Sequence, residues 1–284
     1  MNNLKVMICA DLGKELSKKV VSEACIKLNE TGIQPLIEKQ YKPFLNVDSA
    51  VFAESDKIID ECDMFMTIGG DGTILKWGQK AASFDKPLLG INTGRLGFMT
   101  SLESNELDLL SRLATGEYSI SRRMLLDVEY EDHGTYTVIN DVVFNKCRYS
   151  KLPEFSVSVE GYEVTNIRAD GIIFSTPSGS TAYSLSAGGP IIFPEAKCIE
   201  FTPLCAHSLF GRPMIFSSDQ ELTVSFTAYE NSGVSISIDG NDDMDFSEGE
   251  TIRIRKSDQQ LSLIDINGSS FYKAVHNKLM RPLK

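Results

Sequence analysis

Apolar and polar positions along the chain fall into two regimes. Over roughly the first hundred residues, short apolar runs alternate with stretches whose apolar positions recur at helical spacing. Residues 6–10 form such a run; 15–29 then carry Leu16, Val20, Cys25 and Leu28 before Gly32, a residue suited to stop a helix. Residues 64–68 are again apolar and strand-like, 73–84 read as a helix, and 87–91 return to a short apolar run. Strand and helix alternating in this way predict a parallel sheet covered by helices.

After a helix predicted over 104–114 the grammar changes to apolar–polar alternation between turn residues. Residues 138–144 follow the turn Glu131-Asp132-His133-Gly134, and 155–159 and 164–167 flank Glu160-Gly161. Val234, Ile236 and Ile238 alternate with Ser235, Ser237 and Asp239, so the second region is expected to be mainly β. Ser269 or Ser270 is placed to cap a last helix over 271–279, an element type that belongs with the first region. The expected division is therefore an α/β domain over 1–103, a β-rich domain over 104–266, and a helix within 267–284 that completes the first domain.

Composition narrows the class of partner. With 28 Lys and Arg against 39 Asp and Glu, the 284-residue chain has a formal charge of −11, and its 42% apolar and 24% charged residues are those of a globular protein. Counterion release on nucleic acid needs a field of basic residues, and the only dense cluster is Lys146, Arg148 and Lys151. No stretch approaches the ~18 consecutive apolar residues of a membrane span, and residues 1–10 lack the parts of a signal peptide. The expected setting is the cytoplasm, with no membrane partner. Six scattered cysteines without a C-x-x-C pair read as small buried apolar residues, not as disulfides or a zinc site.

Candidate chemistry begins at Gly69-Gly70-Asp71-Gly72-Thr73, which joins an apolar strand to a helix. In an open α/β sheet, ligands bind at that carboxyl end of the strands. Glycines let the backbone approach a ligand, and the helix start offers free N–H groups to a phosphate. Neither G-x-x-x-x-G-K-[ST] nor G-x-G-x-x-G is present. Asp71 is the unexpected member, because a carboxylate among such amides repels a phosphate unless it accepts a hydroxyl proton or holds Mg²⁺. It is the candidate general base; the alternative is a tight turn with Asp71 capping the helix.

A second glycine-rich loop, Gly90-Ile91-Asn92-Thr93-Gly94-Arg95-Leu96-Gly97-Phe98, offers Asn92 to a ligand hydroxyl and Arg95 to a phosphate, or is a structural turn. Asn140-Asp141 interrupts the apolar 138–144, and such a pair calls for a polar network or a ligand such as a base and a ribose diol. Residues 168–190 contain Asp170-Gly171, a strand, and the hydroxyl-rich Ser175-Thr176-Pro177-Ser178-Gly179-Ser180-Thr181-Ala182-Tyr183-Ser184-Leu185-Ser186-Ala187-Gly188-Gly189-Pro190, either a pocket lining or ordinary turns.

Taken together, in this order, with Pro203, His207-Ser208-Leu209 and Arg212-Pro213 after them, these stretches resemble the NAD kinase family over most of the chain. G-G-D-G alone is shared with lipid kinases, which lack the later block. The resemblance implies a Rossmann-like, phosphofructokinase-like N-terminal domain, an all-β sandwich-like C-terminal domain, and phosphorylation by ATP of the adenosine-ribose 2′-hydroxyl of NAD. It implies Asp71 as the base, Gly72 beside the diphosphate, Asn140 and Asp141 on base and ribose, and Asp170 on a polar group of the dinucleotide. Thr181, Ala182, Tyr183 and Ser186 would line the adenine end, with Ser184, Leu185, Lys76, Lys151, Arg168 and Asn241 as further nucleotide contacts. Mg²⁺ or another divalent metal would arrive on the triphosphate, with Asp71 its protein link and no dedicated metal cluster. A homodimer or homotetramer built through the β-rich domain is also implied. Three positions depart from the family pattern: Asp141 stands where Glu is usual, Asn241 where Gln is common, and Ala206 where Pro is common. A non-catalytic dinucleotide sensor is the alternative outside enzymes, and a carboxylate at Asp71 argues against it.

Overall fold

The computed structural model describes residues 4–94, 97–147, 151–208, 210–228, 233–268 and 271–280. Arg95, Arg148, Leu209 and the Ser269/Ser270 cap lie outside the described residues. The chain forms two compact units, Met1–Arg122 with Leu261–Lys284, and Arg123–Gln260.

The first unit runs β1 (Lys5–Ala10), α1 (Glu15–Glu30), β2 (Gln34–Glu38), β3 (Val51–Ala53), α2 (Ser55–Glu61), β4 (Met64–Gly69), α3 (Asp71–Ser83), β5 (Leu88–Asn92) and β6 (Leu102–Glu103). Strands β5-β4-β1-β2-β3 lie in that order, all parallel. Such a sheet is buried on both faces, and all six residues of β4 are buried accordingly. Helix α1 turns Val20, Val21, Ala24, Cys25 and Leu28 inward, one stripe of a 3.6-residue period.

Where one helix is predicted over 104–114, the chain makes a 3₁₀ turn at Leu107–Leu110 and then α4 (Ser111–Thr115), ended by Gly116 in the left-handed conformation. Leu107, Leu110 and Leu113 enter the first unit's core, as do Ile264 and Ile266 near the end of the chain. The first unit therefore extends to Arg122 and resumes at Leu261, whereas the hydrophobic pattern alone places these limits at 103 and 267.

The second unit is built from β7 (Ser119–Tyr130), β8 (Gly134–Val138), β9 (Asp141–Lys146), β10 (Glu154–Val159), β11 (Tyr162–Arg168), β12 (Gly171–Ser175), α5 (Tyr183–Ser186), β13 (Cys198–Leu204), β14 (Met214–Ser217), β15 (Leu222–Thr227), β16 (Val234–Ile238), β17 (Asn241–Phe246) and β18 (Ile252–Asp265). The first residues of β7 and the last of β18 belong to the first unit, where Leu263 pairs with Leu88. One antiparallel sheet has the order β14-β13-β12-β9-β16-β17; a second contains β11-β10-β15-β18, with β7 pairing both β18 and β8. Alternating residues of both sheets, among them Phe144, Phe155, Phe174, Phe201, Phe226 and Phe246, make the core. The α/β-then-β class holds.

One local reading is corrected. The apolar stretch 138–144 is not one strand: β8 ends at Val138 and joins one sheet, while β9 starts at Asp141 and joins the other. The acidic run 242–245 lies in β17, which forms a hairpin with β16. The tip is Asp239-Gly240, with φ of 50° and 73°, the left-handed pair that a two-residue hairpin requires.

Helix α6 (Phe271–Val275) and a wider turn at His276–Met280 close the first unit. Cys9, Cys25 and Cys62 are buried, Cys147 and Cys198 half-buried, and Cys205 exposed, so the buried reading holds for half of the cysteines; all six are free thiols. Among the described residues no helix is long and apolar enough to cross a membrane.

Candidate functional site

In the first unit the site is assembled at the carboxyl ends of β4 and β5. Gly70 is the N-cap of α3 and makes no side-chain cap; Asp71 is already the first helical residue. Its carboxylate caps nothing in its own helix. It reaches the second glycine loop instead, where Oδ2 accepts the N–H of Phe98 at 2.9 Å and Oδ1 that of Met99 at 3.1 Å. This approach needs Gly97, since a Cβ there would stand 2.3 Å from Asp71 Oδ1. Lys278, from the far end of the chain, places Nζ 3.8 Å from Asp71 Oδ2.

Asn92, offered by the sequence to a ligand hydroxyl, is buried and already engaged. Its Oδ1 accepts the Gly94 N–H at 3.0 Å, and its Nδ2 donates to Glu103 Oε2 at 2.9 Å, so it shapes the loop. Gly72 and Lys76 are exposed on the first turns of α3. Trp77 packs beside Phe65, with ring centroids 6.5 Å apart.

In the second unit, Asn140 and Asp141 mark the break between β8 and β9. Asp239 makes the break: its Oδ2 accepts the Ile139 N–H at 2.9 Å, and its Oδ1 accepts those of Asn140 and Asp141 at 2.6 and 3.3 Å. One carboxylate satisfies three amides that leave the ladder. Asp141 faces Ser175 on β12, and Ser175 faces Glu200 on β13, so a polar row crosses one face of the sheet.

The hydroxyl-rich block lies against that row. The Tyr183 N–H donates to the Asp141 carboxylate, and Ser184 Oγ donates to Glu200 Oε1 at 2.6 Å. Thr202 Oγ1 donates to the same oxygen at 3.1 Å, while Glu200 Oε2 has no hydrogen-bond partner among the described residues. Burial, with added repulsion from Asp239 and Glu200, pushes the Asp141 carboxyl up to about 7. Burial raises Glu200 also, against the pull of the two hydroxyls.

Thr181, Ala182 and Leu185 are half-buried, Tyr183 and Ser186 exposed, and Ser184 fully buried. Asp170 pairs with Lys146 at 2.9 Å, Arg168 and Lys151 are exposed, and Asn241 is exposed at the start of β17. His207 is exposed, and its N–H donates to the Arg168 carbonyl. Within each unit the structure brings part of the predicted set together: Asp71, Gly72 and Lys76 on α3 in the first; Asn140, Asp141, Tyr183 and Ser184 at one polar row in the second, with Lys151, Arg168, Asp170 and Asn241 outside that row. Glu200, Asp239 and Lys278 were not singled out by sequence. The Asp-Gly dipeptide was an available signal for Asp239; a lone Glu in an apolar strand and a Lys on a terminal helix gave none.

Among the described residues no group of three or more His, Cys, Asp or Glu is placed to hold a metal ion. Asp71 fits the other mode of holding Mg²⁺, through a single carboxylate with the remaining ligands from nucleotide and water, because Oδ1 accepts one N–H among the described residues and keeps a lone pair, while Oδ2 faces both the Phe98 N–H and Lys278.

A parallel sheet ending in a glycine-rich strand-to-helix loop, continued by an all-β unit with a polar row, defines a two-unit protein of the kind that holds anionic nucleotides at strand ends. The ATP-NAD kinase N-terminal domain family matches residues 8–118, and the ATP-NAD kinase C-terminal domain family matches 139–266. NAD kinases of Geotalea daltonii and Chlorobium phaeobacteroides are each 33% identical, over 97% and 98% of this chain and 98% and 97% of theirs. Two solved structures share the fold at 22% identity. A yeast NADH kinase complexed with NADH superposes with a TM-score of 0.85 over 99% of this chain and 88% of its own. An Archaeoglobus fulgidus NAD kinase in complex with ATP does so with 0.76 over 98% and 99%. The chain belongs to the NAD kinase family.

Proposed function

We propose that this enzyme transfers the terminal phosphoryl group of ATP to the 2′-hydroxyl of the adenosine ribose of NAD, with Asp71 as the base. The observation that carries the assignment is the fixed carboxylate at the end of β4, beside the exposed Gly72 on the first turn of α3 and held by the Phe98 and Met99 amides. Phosphoryl transfer asks mainly for positioning and charge neutralisation, which a few placed groups supply even in an acidic protein. Asp71 takes the hydroxyl proton, and the main chain at Gly72 and Lys76 face the diphosphate. Asn140 offers donor and acceptor to a base, and Asp141 accepts from ribose hydroxyls. Thr181, Ala182, Tyr183 and Ser186 line the adenine end, with Ser184, Leu185, Asp170, Lys151, Arg168 and Asn241 as further contacts. Mg²⁺, carried on the triphosphate and touching Asp71, would supply charge neutralisation. The cytosolic, homo-oligomeric setting implied by the family is part of the same reading.

The test is NADP formation from NAD, ATP and Mg²⁺ by wild type and the Asp71→Asn protein, which keeps the size of the side chain and removes its basicity. A loss of at least ~10²-fold with NAD binding retained is the expected result. Equal rates would remove Asp71 as base and leave the kinase assignment standing. Absence of NADP from wild type with any donor would turn the reading toward a lipid substrate or a sensor.

A further inference from the structure

Asp71 is tied to the end of the chain as well as to its own loop. Lys278 Nζ lies 3.8 Å from Asp71 Oδ2 and 4.0 Å from the centroid of the Phe98 ring. Phe98 thereby makes two contacts in one knot: its N–H donates to Asp71 Oδ2, and its ring face carries the lysine ammonium. Phe271, on the same terminal helix as Lys278, packs on Phe98 with ring centroids 6.4 Å apart. Both charged side chains are more than two-thirds buried, at 28% and 29% relative exposure. Asp71 is the charged group that faces Lys278 among the described residues, and burial holds the lysine below its usual range, partly offset by that carboxylate.

A carboxylate at the start of a helix meant to receive phosphates repels them, and the cost grows as water is excluded. We propose that Lys278 is a positioning residue for the phosphoryl transfer: its ammonium, held on the Phe98 ring, fixes the Asp71 carboxylate and cancels its charge toward the incoming triphosphate. This rests on Asp71 being the base. A lysine so placed acts on the transfer step, through Asp71, more than on NAD binding. Its stem and the Phe98–Phe271 contact are apolar, so removing the charge while keeping the length leaves the packing in place.

Three variants test the proposal. Lys278→Met is expected to lose at least about fivefold in kcat, with the KM for NAD within about twofold of wild type and an unchanged melting temperature. Lys278→Arg is expected to keep kcat within about threefold, because a guanidinium keeps the positive charge beside Asp71. Lys278→Met within fivefold of wild type overturns the proposal. So does Lys278→Arg as impaired as Lys278→Met. The Asp71→Asn protein assayed beside them separates the two ideas: if it turns over like wild type, the base assignment fails whatever the lysine variants do, and if it is inactive while Lys278→Met is fully active, only the lysine's role fails.

Discussion

At Asp141 the fold sets burial against charge. The side chain is 5% exposed and shares its surroundings with Asp239 and Glu200, which raises its carboxyl to about 7 from an ordinary 3.8. The folded protein therefore holds a proton there that the unfolded chain releases at lower pH. The stabilising contribution is complete below about pH 4 and is lost as pH rises to about 7, above which an ionised buried carboxylate remains. Replacing Asp141 by Asn removes that ionisation, so the variant is expected to melt about level with wild type near pH 4 and roughly 4 °C or more above it at pH 8, by differential scanning calorimetry. In the role proposed for Asp141 the same titration acts oppositely on substrate: the ionised carboxylate is the form that accepts from ribose hydroxyls, so the wild-type KM for NAD should rise as pH falls below about 7. A melting difference independent of pH would show that Asp141 does not titrate in this range. The shorter reach of Asp compared with Glu thus comes with a carboxyl sunk into the Asp239–Glu200 surroundings.

Between elements, the decisive feature is the break between β8 and β9. Asp239 holds three successive amides, and nothing else described replaces it. Asp239→Ala would leave those N–H groups without their acceptor, at about 1–3 kcal/mol for a buried donor. A raised KM for NAD, by about tenfold, with a lower melting temperature is expected; a steady-state titration showing unchanged KM would mean the break holds itself. This element also marks where sequence stops being legible. The β-α alternation could be read from periodicity because β1, α1, β4, α3 and β5 each bury a face that their own residues define. The strand break could not, because its cause stands about a hundred positions later in the chain and acts by a side chain on backbone. Asp71 was legible as an oddity in a glycine loop, yet its partners Phe98, Met99 and Lys278 belong to tertiary structure. Asn92 shows the converse, a polar residue that reads as a ligand contact and is spent on Gly94 and Glu103.

For the molecule as a whole, large apolar side chains stand exposed on both units, and those of the β-rich unit are the ones that pairing through that unit would cover. Phe210 and Tyr162 are 89% and 78% exposed, and Ile215 sits half exposed on β14, an edge strand of the six-stranded sheet. An edge of this kind is a template for pairing with another copy. Sedimentation velocity is expected to give a dimer or tetramer for wild type and a shift toward monomer for Ile215→Lys; a monomeric wild type would remove the oligomer from the reading.

The chain's departure from the first unit at Arg122 and its return at Leu261 also impose an order on synthesis. The β-rich unit is one continuous stretch, Arg123–Gln260, made wholly between the two parts of the other, and is complete once Gln260 has left the ribosome. The α/β unit is not, since Leu263 must pair with Leu88 and Ile264 and Ile266 must fill a core begun at Val6. Contacts of such long sequence separation form late. A nascent chain therefore holds a finished sandwich beside an unfinished sheet whose strand edge stays open until the final segment emerges, and that interval is when the newborn protein is most exposed to aggregation.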